Sequence, residues 1–143
     1  MNRARLAGLD VGDKRIGVAV SDALGMTAQG LGVVQRQGKK ADAAAIMALL
    51  ADYEVSTFVA GLPLEMSGAV GDQADRVQHF CRGLEEITGI AVVYQDERLT
   101  TRQSERMLVE AGVRRGRRKK VIDQVAAVLI LQAYLDTGGG GPS

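Results

Sequence analysis

The sequence predicts an α/β fold: one mixed sheet with helices on its faces, three antiparallel strands first and parallel strands after them. Three observations predict it. Two apolar runs near the start flank Gly12-Asp13-Lys14, the chemistry of a hairpin turn. From Asp42 onward, stretches with helical spacing alternate with short apolar runs. At 143 residues with 46% hydrophobic and 24% charged side chains, the chain fills one core, which excludes disordered and collagen-like classes.

The hairpin strands are residues 5–11 and 16–20, and residues 27–36 supply a third antiparallel strand. The helix that follows places Ile46, Leu49, Leu50 and Tyr53 on one face, with residues 43–45 all alanine. Residues 57–61 form a buried strand bounded by Pro63, and residues 62–71 a loop with Ser67, Gly68 and Gly71. Ala74, Val77, Cys81 and Leu84 line the inner face of a second helix, and Gly89 sits where a carboxyl-terminal cap belongs. Residues 90–94 are another strand. Thr100-x-x-Gln103 matches a capping box opening a helix with Met107 and Leu108 inward. Residues 112–120 read as a basic loop, residues 121–135 as a deeply packed last helix, and residues 138–143 as a flexible glycine-rich tail outside the domain of residues 3–137.

Composition narrows the chemistry. Cys81 and His79 are each the sole residue of their type, so disulfide frameworks, cysteine zinc sites and histidine-rich metal sites are excluded. Cys81 reads as core and His79 as surface. Five aromatics and no tryptophan argue against binding bases mainly by stacking. No stretch resembles a signal peptide or spans a bilayer, which points to the cytoplasm. The net charge of +1 hides a polarity: Arg114, Arg115, Arg117, Arg118, Lys119 and Lys120 concentrate six of the 18 bases within seven positions. Such a segment suits the phosphates of a nucleic acid, although a solvated charge run has the same composition.

Three carboxylates occupy positions that a packed α/β domain disfavours. Asp10 lies inside the first apolar strand, Glu97 follows the strand of residues 90–94 together with Asp96, and Asp123 lies near the start of the apolar last helix. Ala126 and Ala127 allow that helix to come close to the sheet. Each acid also has a plainer reading: Asp10 bonding in the turn, Asp96 or Glu97 paired with Arg98, Asp123 as a helix cap. Together, at strand ends where ligands collect, they form an all-oxygen donor set that suits Mg²⁺ or Mn²⁺ and not zinc. Two such ions could polarise a phosphodiester and activate water.

The stretch Gly8-Leu9-Asp10-Val11-Gly12-Asp13-Lys14-Arg15-Ile16-Gly17-Val18-Ala19 is the most specific. Gly8 and Gly12 flank the acid, Gly17 clears space on the partner strand, and Lys14 and Arg15 place positive charge at the turn. It resembles the opening motif of the YqgF/RuvX family of pre-16S rRNA nucleases, related to RuvC-type Holliday junction resolvases. Gly61-Leu62-Pro63-Leu64 with Ser67-Gly68, Asp96-Glu97-Arg98-Leu99-Thr100-Thr101, and Asp123-Gln124-Val125-Ala126-Ala127-Val128-Leu129-Ile130-Leu131-Gln132 extend the resemblance over nearly the whole chain. Asp13 and Gln124 depart from the family pattern, and neither removes a carboxylate.

The resemblance implies an RNase H-like fold and metal-dependent nucleic-acid cleavage. Asp10, Glu97 and Asp123 then become the catalytic, metal-binding triad. It further implies maturation of the 5′ end of pre-16S rRNA, with the pre-ribosomal particle as a partner. Lys14, Arg15, Ser67, Arg98 and the basic segment from Arg114 to Lys120 are the candidate nucleic-acid contacts. Ser67 is included because its loop precedes a helix amino terminus. Three alternatives stand beside this reading: a resolvase acting on branched DNA as a homodimer, a nucleotide-binding module, and a non-catalytic nucleic-acid-binding protein.

Overall fold

The computed structural model describes residues 4–96 and 115–137, the stretch 115–124 through its helical backbone. In chain order the elements are β1 (Arg5–Val11), β2 (Arg15–Ser21), β3 (Ala28–Gln35), α1 (Lys39–Leu49), β4 (Val55–Leu62), α2 (Asp72–Thr88), β5 (Ala91–Asp96) and α3 (Arg115–Asp136). The strands form one sheet in the order β3-β2-β1-β4-β5. β1, β2 and β3 pair antiparallel, and β4 and β5 join parallel to β1.

The sheet separates two apolar layers, because successive side chains of a strand point to opposite faces. Ala7, Leu9 and Val11 of β1, Ile16, Val18 and Val20 of β2, and Phe58 and Ala60 of β4 pack with Ile46 of α1 and Val77, Phe80, Cys81 and Leu84 of α2. Ala19, Val59 and the half-buried Leu6 and Val93 pack on the other face, against Ala127, Ile130 and Leu131 of α3. That helix crosses all five strands. Gly89 caps α2 in the left-handed conformation (φ 72°) that glycine adopts without steric cost. Among the described residues no helix is long and apolar enough to cross a membrane.

Beyond shifts of a residue or two at the strand ends, three differences from the sequence reading stand out. α1 begins at Lys39 and ends at Leu49, so Leu50 caps it and Tyr53 packs from the following turn. β5 runs to Asp96, which places that acid in the strand and not beyond it. The largest difference is in α3, which starts at Arg115. Residues 115–120 are therefore helical turns and not a loop, since arginine and lysine are good helix formers despite their mutual repulsion. Asp123 then lies in the third turn of α3, which removes its reading as a helix cap. The predicted helix after Thr100 and the tail of residues 138–143 lie outside the described residues.

Candidate active site at the carboxyl-terminal rim of the sheet

The parallel strands β1, β4 and β5 end side by side, and register fixes which residues share the rim. Leu9 is level with Ala60, and Ala60 with Tyr94. One residue further along are Asp10, Gly61 and Gln95, with Gly61 paired to Gln95, while Asp10 pairs with Gly17 on β2. Strand alternation puts this whole row on the α3 face, because Leu9, Ala60 and Tyr94 belong to the opposite layer. Asp10 is half-buried, and the position level with it on each neighbouring strand is a glycine.

α3 brings its amino-terminal half toward the same rim. Its far end is tied down by Gln132, whose amide accepts from the Ala28 N–H (3.0 Å) and donates to the Met26 carbonyl (2.9 Å). Ala28 pairs with Ser21, and the Ser21 hydroxyl accepts the Leu6 N–H at 2.9 Å, so Gln132 is level with the start of β1. Further along, a Cβ at Gly8 would lie 2.7 Å from the Leu131 Cβ and 2.8 Å from the Ala127 carbonyl oxygen, so the helix rests on the Gly8 backbone. Asp123 is one turn before Ala127, about 6 Å along the axis at 1.5 Å per residue. Asp123 therefore lies on the side of this contact away from the Gln132 clamp.

The turn after β1 is built around Gly12. Its N–H donates to the Arg15 carbonyl (2.8 Å), and a Cβ there would lie 2.9 Å from that same oxygen. The Arg36 guanidinium donates to the Gly12 carbonyl (2.9 Å), and the Arg36 N–H donates to the Lys14 carbonyl (2.9 Å). Lys14 is exposed and Arg15 half-buried. Asp13 pairs with Arg76 of α2 at 3.3 Å, an exposed contact that contributes little to stability.

The other predicted residues divide between two regions. The Ser67 hydroxyl accepts the Ala69 N–H at 3.3 Å within a tight turn. The neighbouring amino terminus of α2 carries Asp72 and Asp75, and the Glu65 carboxylate sits where a Gly71 side chain would lie. Glu97, Arg98 and Arg114 lie outside the described residues. Arg115, Arg117, Arg118, Lys119, Lys120 and Asp123 lie within α3, in the stretch described through its backbone.

Among the described residues no three His, Cys, Asp or Glu side chains cluster as metal ligands. Asp10 is a hard oxygen donor on the α3 face of the rim, the type that Mg²⁺ and Mn²⁺ take, whereas Asp96 alternates to the opposite face with Tyr94. The sequence reading overlooked Arg36, since one arginine after a strand carries no periodicity or motif. It also overlooked Gly61 as a neighbour of Asp10, which only strand order reveals. The clear pKa shifts lie elsewhere. Burial pushes the Cys81 thiol up to about 12, and burial together with the Cys81 contact pushes Tyr94 up to about 12. Both belong to the core layer beneath α2.

Residues 4–137 match the family model described as RuvX: Holliday junction resolvase. A relative from Clostridioides difficile named "Putative pre-16S rRNA nuclease" is 52% identical over 132 residues, 92% of this chain and 94% of that protein. One of the same name from Moorella thermoacetica is 52% identical over 135 residues, 94% of this chain and 96% of that protein. Among solved structures, Thermus thermophilus RuvC in complex with a Holliday junction substrate superposes with a TM-score of 0.55 at 15% identity, covering 96% of this chain and 98% of that one. The Fowlpox virus resolvase with its Holliday junction DNA gives 0.57 at 11%, covering 93% and 97%. The fold is that of the RuvC-like resolvases, and the chain belongs to the RuvX family.

Proposed function

We propose that this protein is a divalent-metal-dependent nuclease that hydrolyses phosphodiester bonds in the 5′-end maturation of pre-16S rRNA, in the cytoplasm and on a pre-ribosomal particle. The observation that carries it is the rim row in which Asp10 stands between Gly17 and Gly61, on the face that α3 covers. Glu97 directly follows Asp96, the last residue of β5 on that rim. The relatives' printed name supports the substrate.

Asp10, Glu97 and Asp123 would hold Mg²⁺ or Mn²⁺. When bound, the cation supplies Lewis acidity, which polarises the phosphoryl group and lowers the pKa of the attacking water. Water adds to phosphorus and the bond to the 3′ oxygen breaks, leaving a 5′-phosphate and a 3′-hydroxyl. The protein's own contribution is to keep glycine at the two strand positions flanking Asp10 and to hold the strand. Lys14, Arg15, Ser67, Arg98, Arg114 and the basic first turns of α3 (Arg115, Arg117, Arg118, Lys119, Lys120) bind the polyanion. Those turns add fixed cations to the positive end of the helix dipole, so both fields attract phosphate.

The test is a cleavage panel with Mn²⁺ against precursor rRNA, single strands and four-way junctions, run on wild type, Asp10→Asn and Asp123→Asn. Wild type should cut precursor rRNA and both variants should lose the activity while remaining folded. Undiminished cutting by purified Asp10→Asn would remove the site. A second reading, a homodimeric resolvase of branched DNA, is favoured by the family's description. Paired cuts in four-way junctions by a two-fold dimer would select it.

A further inference from the structure

Arg36 follows β3, far from Asp10 in sequence, yet it holds the turn that emerges from β1 at both ends. Its Nη1 donates to the Gly12 carbonyl and its backbone N–H to the Lys14 carbonyl, each at 2.9 Å. We propose that Arg36 is a positioning residue for the metal centre: it fixes the Gly12–Lys14 turn, and through it the orientation of Asp10 and the placement of Lys14 and Arg15. The proposal rests on the reading of Asp10 as a metal ligand.

What holds Arg36 is the opposite layer of the fold. Its guanidinium lies over the ring of Phe80 on α2, 4.8 Å from the centroid, and Phe80 is buried. Its Nε is 3.6 Å from Oδ2 of Asp42, in the first turn of α1. Asp42 is 1% exposed, and its other oxygen accepts the Gln37 N–H at 2.8 Å. Among the described residues Oδ2 has no hydrogen bond of its own, and the guanidinium is its charge partner. A buried carboxylate in this state is costly without a cation beside it, which keeps Arg36 in place.

The flat fork can therefore face the Asp42 carboxylate, stack on Phe80 and donate to Gly12 in one plane. Lysine offers a point charge that serves Asp42 but has no fork to span both partners. The turn begins one residue after Val11 and two after Asp10, so a shift of Gly12 rotates the strand end carrying the acid. A ligand displaced by about 1 Å no longer meets the narrow distance range of Mg²⁺ or Mn²⁺.

The test compares Arg36→Lys and Arg36→Met with wild type in three measurements: amide hydrogen exchange, titration with Mn²⁺ alone, and cleavage kinetics. In Arg36→Lys, which keeps the charge facing Asp42, exchange should rise in a peptide spanning 10–16 and stay unchanged in one spanning 57–61 on β4. Mn²⁺ affinity and kcat should each fall about tenfold, as when an outer partner of a metal ligand is removed, with KM nearly constant. Arg36→Met should do the same or more, and Arg36→Lys decides the matter where Arg36→Met fails to fold. Wild-type exchange in 10–16, equal loss of protection in 57–61, or a rise in KM at constant kcat would each overturn the proposal. Wild type that neither binds Mn²⁺ nor cleaves would instead sink the nuclease reading, a failure distinct from any that concerns Arg36.

Discussion

Replacing Gly8 by alanine perturbs a place where α3 rests on the backbone of β1. The added Cβ would sit 2.7 Å from the Leu131 Cβ and 2.8 Å from the Ala127 carbonyl oxygen. Ordinary carbon contacts need about 3.5–4.0 Å, so the helix must retreat by about 1 Å. Neither obstacle is the end of a flexible side chain: one is a Cβ and the other a backbone carbonyl, so rotamer changes cannot relieve it. Overpacking of this kind costs about 1–3 kcal/mol. For a domain of this length each kcal/mol lowers Tm by about 3–5 °C, so thermal unfolding should fall by roughly 3–15 °C. The same retreat moves α3 relative to Asp10, and Mn²⁺-dependent cleavage should drop about tenfold or more at a temperature where the variant is folded. Gly89→Ala is the control. Gly89 caps α2 at φ 72° with nothing within 4 Å of a Cβ, so strain lowers stability there without touching α3. Gly89→Ala should therefore keep full activity. A Gly8→Ala protein with unchanged Tm and cleavage would refute the close approach of helix and strand on which the site is built.

Two further outcomes follow from the same geometry. Replacing Arg115, Arg117, Arg118, Lys119 and Lys120 with glutamine should weaken binding of a single-stranded RNA and flatten its salt dependence, by about 0.7 in log–log slope for each phosphate no longer neutralised. Unaltered affinity and slope in a filter-binding titration would remove the basic turns from the interface. Stability should also fall with alkaline pH. Cys81 ionises at about 12 in the folded protein against an ordinary 9.0, and Tyr94 at about 12 against 10.0. Both folded values are raised, so the unfolded chain loses these protons first. The stability they contribute is complete below pH 9 and is lost as pH rises from 9 toward 12. Urea midpoints measured across that range check this, and a flat profile would mean that the two groups are not buried together.

What the sequence made legible were the features with a local period. The β1–β2 hairpin, the inward stripe of α2 from Ala74 to Leu84 and its Gly89 cap all follow from spacing and from one residue's backbone preference. Asp10 could be singled out because a lone acid inside an apolar strand stands against its surroundings. Features set by tertiary contact were not legible. The start of α3 was hidden because a run of arginine and lysine fits a solvated loop as well as a helix, and only the continuous helix to Asp136 decides between them. Gly61 became a neighbour of Asp10 through strand order, and Arg36 through a contact spanning 24 residues of sequence.

That longer α3 changes how binding and chemistry relate. A basic loop ahead of a separate helix could grip phosphate without consequence for Asp123. Here the basic residues and Asp123 share one rod, and its later turns rest on Gly8 and are clamped at Gln132. Cations at a helix amino terminus repel one another and oppose the local dipole, so the unliganded helix carries an electrostatic cost at that end. On the function proposed above, phosphate at those turns would relieve that cost on the same helix that carries Asp123. By linkage, whatever factor the substrate then adds to Mn²⁺ affinity, Mn²⁺ adds to affinity for the substrate.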